Sequence, residues 1–388
     1  MNRIIVTIVF CIGWMVCCAQ TKPVAVGAEA TNEYFPLLKG KRIAVLSNHT
    51  GMVGNEHLVD LLKRKDFNVV CIFSPEHGFR GNADAGEHVS SSMDEKTGIP
   101  ILSLYDGDTG KPSVKSMSLF DVLVFDLQDV GLRFYTYYAT MVRMMDACAE
   151  SQKKMIILDR PNPNGHYVDG PILDMKYKSG VGWLPIPVVH GMTLGELAMM
   201  VNGEKWLPEG RICDISVIKC KNYTHQTMYQ LPIPPSPNLP TMKAVYMYPS
   251  TCYFEATPVS LGRGTDKPFL VYGHPNMLSY SFSFTPRSIP GAKNPPQLNK
   301  ICYGVDLSNL SDSDIWKKGV DLTYLIDAYT NLNMGDHFFR PFFEKLIGVS
   351  YVRKMIKEGY SADEIKKKWS DDVEKFKKQR APYLLYQE

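Results

Sequence analysis

The feature that most narrows what this chain can fold into is a series of short apolar runs, each followed by a polar exit and most of them separated by helical stretches. Residues 41–47, 69–73, 101–105, 121–126 and 155–158 each read as a strand. The run Asp121-Val122-Leu123-Val124-Phe125-Asp126 shows no polar alternation, as expected of a strand covered on both faces. Between the first two strands, Asn55 is expected to cap a helix with Leu58, Leu61 and Leu62 on one face. Residues 136–150 place Met141, Met144, Met145 and Cys148 at i, i+3, i+4 and i+7, a core-facing helix stripe. Alternating strand and helix implies an α/β fold built on a parallel, Rossmann-like sheet.

The polar residues of this span gather at the strand exits. The run ending at Phe73 leads into Ser74-Pro75-Glu76-His77-Gly78-Phe79-Arg80-Gly81, and on to Asp84-Ala85-Gly86-Glu87-His88. The other exits carry Asn48 and His49, Gln128 and Asp129 with Arg133, and Asp159 with Arg160. In an open α/β sheet the loops leaving the carboxyl ends of the strands form the ligand crevice, so four decorated exits on one edge outline a site rather than a set of solvated loops. No GxGxxG or GxxxxGK[ST] follows any strand, which argues against a nucleotide site, and there is no GxSxG nucleophile elbow.

A formal charge of +3 over 388 residues, with acids and bases nearly balanced, gives no nucleic-acid footprint. The basic start Met1-Asn2-Arg3, the apolar run 4–16 and the small residues that follow read as a secretory signal over residues 1–20. The mature protein is therefore expected to be exported, to the periplasm, with no transmembrane segment left once the signal is removed. Cys18 as a lipid acceptor is the weaker alternative, because Met15, Val16 and Cys17 fit a lipoprotein signal poorly. Six cysteines remain after cleavage, without a CxxC pair, and Cys71 and Cys148 fall in core patterns. Residues 21–38 read as a linker.

Beyond residue 164 the pattern loosens, and the sheet domain is expected to span residues 39–180, with a second domain over 181–388. His190-Gly191-Met192 leads into a capping box at Thr193 and Glu196, which opens a helix. Five prolines between residues 232 and 240 surround Ser236 and Asn238 in an irregular, semi-rigid segment. Gly262-Arg263-Gly264 presents a guanidinium with little cover. A last capping box, Ser361 to Glu364, opens a helix with Ile365, Trp369, Val373 and Phe376 on one face.

Taken together and in order, Ser47-Asn48-His49-Thr50-Gly51, Phe73 to Gly81, Asp84-Ala85-Gly86-Glu87, Phe125 to Gly131, Arg133-Phe134-Tyr135-Thr136-Tyr137, Leu158 to Pro163, His190 to Thr193 and Pro235-Ser236-Pro237-Asn238 resemble the exported exo-β-N-acetylmuramidases, from about Gly40 to Gln387. The resemblance implies a Rossmann-like domain plus a second α/β domain with the active-site cleft between them. It also implies removal of terminal N-acetylmuramic acid from the non-reducing end of peptidoglycan fragments, with peptidoglycan-derived saccharides or muropeptides as partners, and no cofactor or metal. Glu76, in the SPEHG motif, is then the leading catalytic residue. Glycoside cleavage needs a second carboxylate, for which Glu87 ranks first, ahead of Asp126, Asp129 and Glu255. The substrate-binding candidates are Asn48, His49, His77, Asp129, Arg133, Tyr135, Asp159, Arg160, His190, Asn238, Glu255 and Arg263. The arginines among them, Arg133, Arg160 and Arg263, suit the lactyl carboxylate that distinguishes muramic acid from glucosamine. The chain departs from the family pattern at Glu255-Ala256-Thr257-Pro258, where Glu-Gly-Thr-Asn is usual, and at Ser250, in place of a glycine. Two other classes remain: a metal-dependent hydrolase using Glu76, His77, Glu87 and His88, and a non-catalytic periplasmic module that binds cell-wall sugars.

Overall fold

The computed structural model describes residues 22–75, 79–80, 92–104 and 111–388. In chain order the strands are β1 (Ile43–Ser47), β2 (Met52–Val53), β3 (Glu56–His57), β4 (Val69–Phe73), β5 (Ser92–Met93), β6 (Pro100–Leu102), β7 (Val122–Asp126), β8 (Lys154–Leu158), β9 (Ile215–Ile218), β10 (Val271–His274), β11 (Phe282–Phe284) and β12 (Cys302–Asp306). The helices are α1 (Thr31–Leu38), α2 (Leu58–Arg64), α3 (Val114–Ser118), α4 (Tyr137–Glu150), α5 (Leu194–Gly203), α6 (Met242–Thr251), α7 (Asp312–Lys318), α8 (Thr323–Leu332), α9 (Phe343–Ile347), α10 (Tyr351–Lys357) and α11 (Ala362–Arg380).

The main sheet has seven strands in the order β5-β6-β4-β1-β7-β8-β9, parallel throughout except for the edge strand β5. The chain lays β4, then the edge strand β5 and β6 inside it, on one side of β1, and then β7, β8 and β9 on the other side, so the strand order reverses between β1 and β7. Such a switch point is where an open sheet leaves a crevice at its carboxyl edge. Each strand of the centre feeds two cores, because successive side chains point to opposite faces. Val45, Ile72, Val124 and Ile156 pack with Tyr34, Leu58 and Leu62 on one face. Ala44, Phe73, Leu123 and Phe125 pack on the other with Met141, Met144, Met145 and Cys148 of α4.

That second core continues without a break into the carboxyl-terminal half, through Tyr246, Phe254, Leu325 and Trp369. There α6 to α11 accompany a three-stranded antiparallel sheet, β10-β12-β11, whose Tyr272 hydroxyl donates to Asp327 of α8 at 2.6 Å. Ile365, Trp369, Val373 and Phe376 of α11 are buried, and both capping boxes, at Thr193 and Ser361, form.

Several boundaries differ from the sequence reading. The sheet does not end at residue 180, since β9 hydrogen-bonds to β8. Residues 22–38 are not a linker: Val26, Ala28, Tyr34 and Leu38 are buried, and Gly27 donates to the Asp159 carbonyl at 2.8 Å. Asn55 lies in the turn of the β2–β3 ribbon, and α2 is capped instead by His57, whose Nδ1 accepts from Val59 N–H at 3.2 Å. The six cysteines from Cys71 to Cys302 are free and buried. Among the described residues no helix is long and apolar enough to cross a membrane.

The chain's last residues return to the sheet. Glu196, fully buried on α5, accepts from Leu385 N–H at 2.8 Å, from Tyr386 N–H at 3.3 Å and from His225 at 3.0 Å. The Tyr386 hydroxyl donates to Asp159 Oδ2 at 2.7 Å. This carboxyl-terminal clasp places two buried acids of the sheet domain in the hands of residues 385 and 386.

Candidate active site

At the switch point β1 exits through Asn48, which is fully buried. Its Oδ1 accepts from the Thr50 N–H at 3.0 Å and from the Thr50 hydroxyl at 2.6 Å, while its Nδ2 donates to the Tyr137 hydroxyl at 2.9 Å. A short Asx-type turn is thus tied to the start of α4. His49 Nε2 meets the Pro234 carbonyl at 3.0 Å, and the Tyr135 hydroxyl donates to the Pro235 carbonyl at 2.7 Å. These two bonds hold the proline-rich segment as a strap over the carboxyl edge.

Beneath the strap lies a cavity of about 140 Å³. Its walls are aromatic, with Phe134, Tyr135, Tyr137, Tyr248 and Phe269, and its polar contributions include Ser236, Asn238, Glu255 and Arg263. Arg263 donates to Glu255 Oε1 at 2.6 Å and sits 5.4 Å from the centre of the Phe269 ring. Burial drives the phenols of Tyr135 and Tyr248 well above their ordinary range, so both remain neutral donors. An aromatic pocket with one guanidinium, one carboxylate and an amide suits a sugar that carries an acidic substituent. A larger recess of about 750 Å³, beside Phe35, Lys41 and Phe67, opens at the amino ends of the strands, away from this edge.

Of the residues expected to bind substrate, Tyr135, Asn238, Glu255 and Arg263 come together at this cavity. Three others are committed to the fold. Arg133 is fully buried and donates to four backbone carbonyls, those of Pro171 at 2.7 Å, Ile186 at 2.9 Å, Leu346 at 3.0 Å and Ile347 at 2.8 Å. Arg160 forms a two-pronged pair with Asp126, at 2.5 and 2.9 Å, and reaches the Met52 carbonyl at 3.0 Å. Asp159 accepts from Gly195 N–H at 2.9 Å and from Thr193 Oγ1 at 2.7 Å, receiving the start of α5. Burial pushes its pKa up to about 6, against the pull of the Tyr386 and Thr193 hydroxyls. The arginine expectation is corrected accordingly: backbone carbonyls occupy both terminal nitrogens of Arg133, whose buried Nε alone has no partner among the described residues, and the Asp126 carboxylate and the Met52 carbonyl engage Arg160.

Asp129 and His190 form a buried pair behind the edge, with Oδ2 and Nε2 4.0 Å apart. Burial raises the Asp129 pKa to about 7, although the Gly131 and Val130 N–H groups oppose the rise. Burial and then the charge of Arg380 lower His190 to about 3. His190 Nδ1 accepts from Met192 N–H at 3.2 Å, which places the ring proton on Nε2, toward the aspartate. Glu76, His77, Glu87 and His88 lie outside the described residues. The chain enters that stretch from β4, whose Phe73 pairs with Leu46 of β1, next to the Asn48 turn.

Residues 43–243 match the amino-terminal domain, and residues 246–386 the carboxyl-terminal domain, of the exo-β-N-acetylmuramidase NamZ. The chain belongs to the exo-β-N-acetylmuramidase family. The peptidoglycan β-N-acetylmuramidase NamZ of Bacillus subtilis (strain 168) is 38% identical over 374 residues, 91% of this chain and 89% of that protein. Two crystal structures of DUF1343 family proteins from Bacteroides fragilis NCTC 9343 share the fold. One superposes with a TM-score of 0.90 at 72% identity, covering 95% of this chain and all of its own. The other gives 0.77 at 29% identity, covering 94% of this chain and 99% of its own.

The departures from the muramidase family pattern are accommodated locally. The Ser250 hydroxyl donates to the Gly319 carbonyl at 3.1 Å and accepts from Asp321 N–H at 2.9 Å, so it ties the last turn of α6 to the loop between α7 and α8, which a glycine would leave unbridged. Ala256 is fully buried and its carbonyl accepts from Arg340 N–H at 2.9 Å. Phe134, Tyr248 and Phe269 line the cavity although none of them stood among the binding candidates; the recurrence of aromatics beside Tyr135 and before Glu255 was the available signal.

Proposed function

We propose that this chain is an exported exo-acting glycoside hydrolase that releases terminal N-acetylmuramic acid from the non-reducing end of peptidoglycan fragments during cell-wall turnover. The observation that carries the reading is the match to both muramidase domains, which together cover nearly all of the chain from residue 43 to residue 386. The aromatic cavity under the proline strap is the proposed sugar site, with Arg263 facing the lactyl carboxylate.

Glu76, three residues after the end of β4 in sequence, is the proposed general acid and protonates the leaving glycosidic oxygen. Of the four carboxylates weighed as its partner, Asp126 is paired with Arg160 and Asp129 is held toward its neutral form behind the edge. Glu87 and Glu255 remain, and Glu255 lies on the cavity wall.

The test is release of free N-acetylmuramic acid from a muramyl-terminated disaccharide, with the glucosamine-terminated disaccharide as control. Turnover of the muramyl substrate alone is expected, and Glu76→Gln should lower kcat by roughly 10²–10⁴-fold. Saturable binding without turnover by the parent protein would replace the hydrolase with a binding module. Glu87→Gln and Glu255→Gln then identify the second carboxylate: the one whose loss matches Glu76→Gln in kcat is the partner.

A further inference from the structure

A second cleft is built on the same segment and the same helix as the first, with no lining residue in common. The segment around the Ser179–Gly182 bridge contributes Val181 to the sugar cavity and Lys178 and Trp183 to a separate cleft of about 320 Å³. Helix α4 joins them as well: Tyr137 faces the sugar cavity, and Arg143 and Asp146 line the second cleft about 9–14 Å further along the axis. The segment is pinned to α4, because Trp183 N–H donates to the buried Tyr138 hydroxyl at 2.8 Å.

The cleft is aromatic and cationic. Arg143 lies 4.5 Å and the Lys178 ammonium 4.1 Å from the Trp183 ring centre, so one indole carries two cations. Trp206 forms another wall. Lys111 is a third cation of the lining, held between Asp146 at 2.5 Å and Glu150 at 2.8 Å, and Asp146, the one carboxylate of the lining among the described residues, also pairs with Arg211 at 2.6 Å. Lys178 is exposed and makes no ion pair among the described residues. The cavity therefore offers flat apolar faces for stacking and an exposed ammonium, that of Lys178, beside the Trp183 ring, at a size within the usual range for small-ligand sites.

We infer that this cleft is a distal subsite for the carboxylate-bearing remainder of a peptidoglycan fragment whose terminal sugar occupies the cavity under the proline strap. The inference rests on the proposed muramidase function for its substrate, and on the shared segment and helix for its position. Two parts of such a fragment present carboxylates, the stem peptide and the lactyl group of a further muramyl residue, and the chemistry of the cleft suits both.

The experiment compares KM for three substrates: a muramyl-terminated disaccharide, the same disaccharide with its stem tetrapeptide, and a peptide-free tetrasaccharide. The parent protein is expected to show a lower KM for one or both of the larger substrates. Lys178→Glu and Trp206→Ala should each erase about fivefold of that advantage, leaving kcat/KM for the disaccharide as it was. The substrate that loses its advantage identifies the occupant as peptide or glycan. Equal KM for all three substrates in the parent, or variants that raise KM equally for all three, would overturn the subsite. If no substrate is turned over, the hydrolase reading fails, and the cleft is then judged by binding alone. Saturable quenching of tryptophan fluorescence by the free stem tetrapeptide or by the tetrasaccharide, weakened in Lys178→Glu, supports it; no saturable quenching by either sinks it.

Discussion

Asp129 and His190 face each other from within the fold with both pKa values moved toward the neutral forms, and their contributions to stability run in opposite directions with pH. Asp129 rises from 3.8 to about 7, so between about pH 4 and 7 the native protein keeps a proton that the unfolded chain gives up, and stability falls as pH rises. His190 drops from 6.5 to about 3, so over that interval the unfolded chain takes up a proton that the native protein refuses, and stability rises with pH. The two slopes offset one another between about pH 4 and 6.5. Asp129→Asn removes the first and keeps an oxygen for Gly131 N–H, so the variant should gain on the parent by on the order of 2–4 kcal/mol between pH 4 and pH 8. Urea unfolding of both proteins at the two pH values measures this, and a constant difference would mean that the carboxyl is not raised. At this scale the sequence revealed which polar residues collect at the strand exits, but not how they are used. Arg133, Arg160 and Arg263 look alike in a sequence; what separates them is whether backbone carbonyls or a carboxylate from a distant segment meet the guanidinium.

Elements are joined at this edge by bonds that cross long stretches of sequence. Arg133 links the approach to α4 with the end of α9, and Gly348 beyond α9 has φ +87°, with a hypothetical Cβ 2.6 Å from Arg133 Nη2. Arg133→Lys leaves at least one buried carbonyl without its partner and should cost roughly 2–4 kcal/mol in denaturant unfolding. Gly348→Ala should also destabilise, by both backbone strain and collision with the guanidinium. The proline strap is tied to the strand edge by the His49 and Tyr135 side chains and to Gly291 by Asn238, and Tyr135→Phe removes one of these bonds. That variant should lose about 1 kcal/mol of stability and raise KM severalfold with less change in kcat, because the phenol holds the strap in place. Strands β1, β4, β7 and β8 were legible because unbroken apolar runs mark strands covered on both faces. The helix cap at His57 was not, since the short β2–β3 ribbon that moves the start of α2 past Asn55 has no periodicity to detect in two-residue strands.

At the scale of the whole molecule, two segments far apart in sequence close over the sheet domain. Residues 22–38 lie against β8 and β9, and residues 385–386 supply partners to Glu196 and Asp159. Removing residues 384–388 strips the buried Glu196 of two donors and Asp159 of one, and should cost on the order of 3–5 kcal/mol, read as a drop in Tm and in urea midpoint. An unchanged Tm would show that the clasp contributes nothing to closure. The domain limit expected at residue 180 failed for a related reason: local composition marks where periodicity weakens, whereas β9 returns to the sheet after an intervening irregular stretch and α5. The cavity drew on both halves, so the aromatic wall supplied by Tyr248 and Phe269 could be assigned to the site only once the halves were seen packed together. During synthesis the same arrangement sets an order of events. A nascent chain that stops short of Leu385 carries two buried acids without their full set of donors, however complete its sheet, and is expected to stay open to proteases until residues 385 and 386 have emerged.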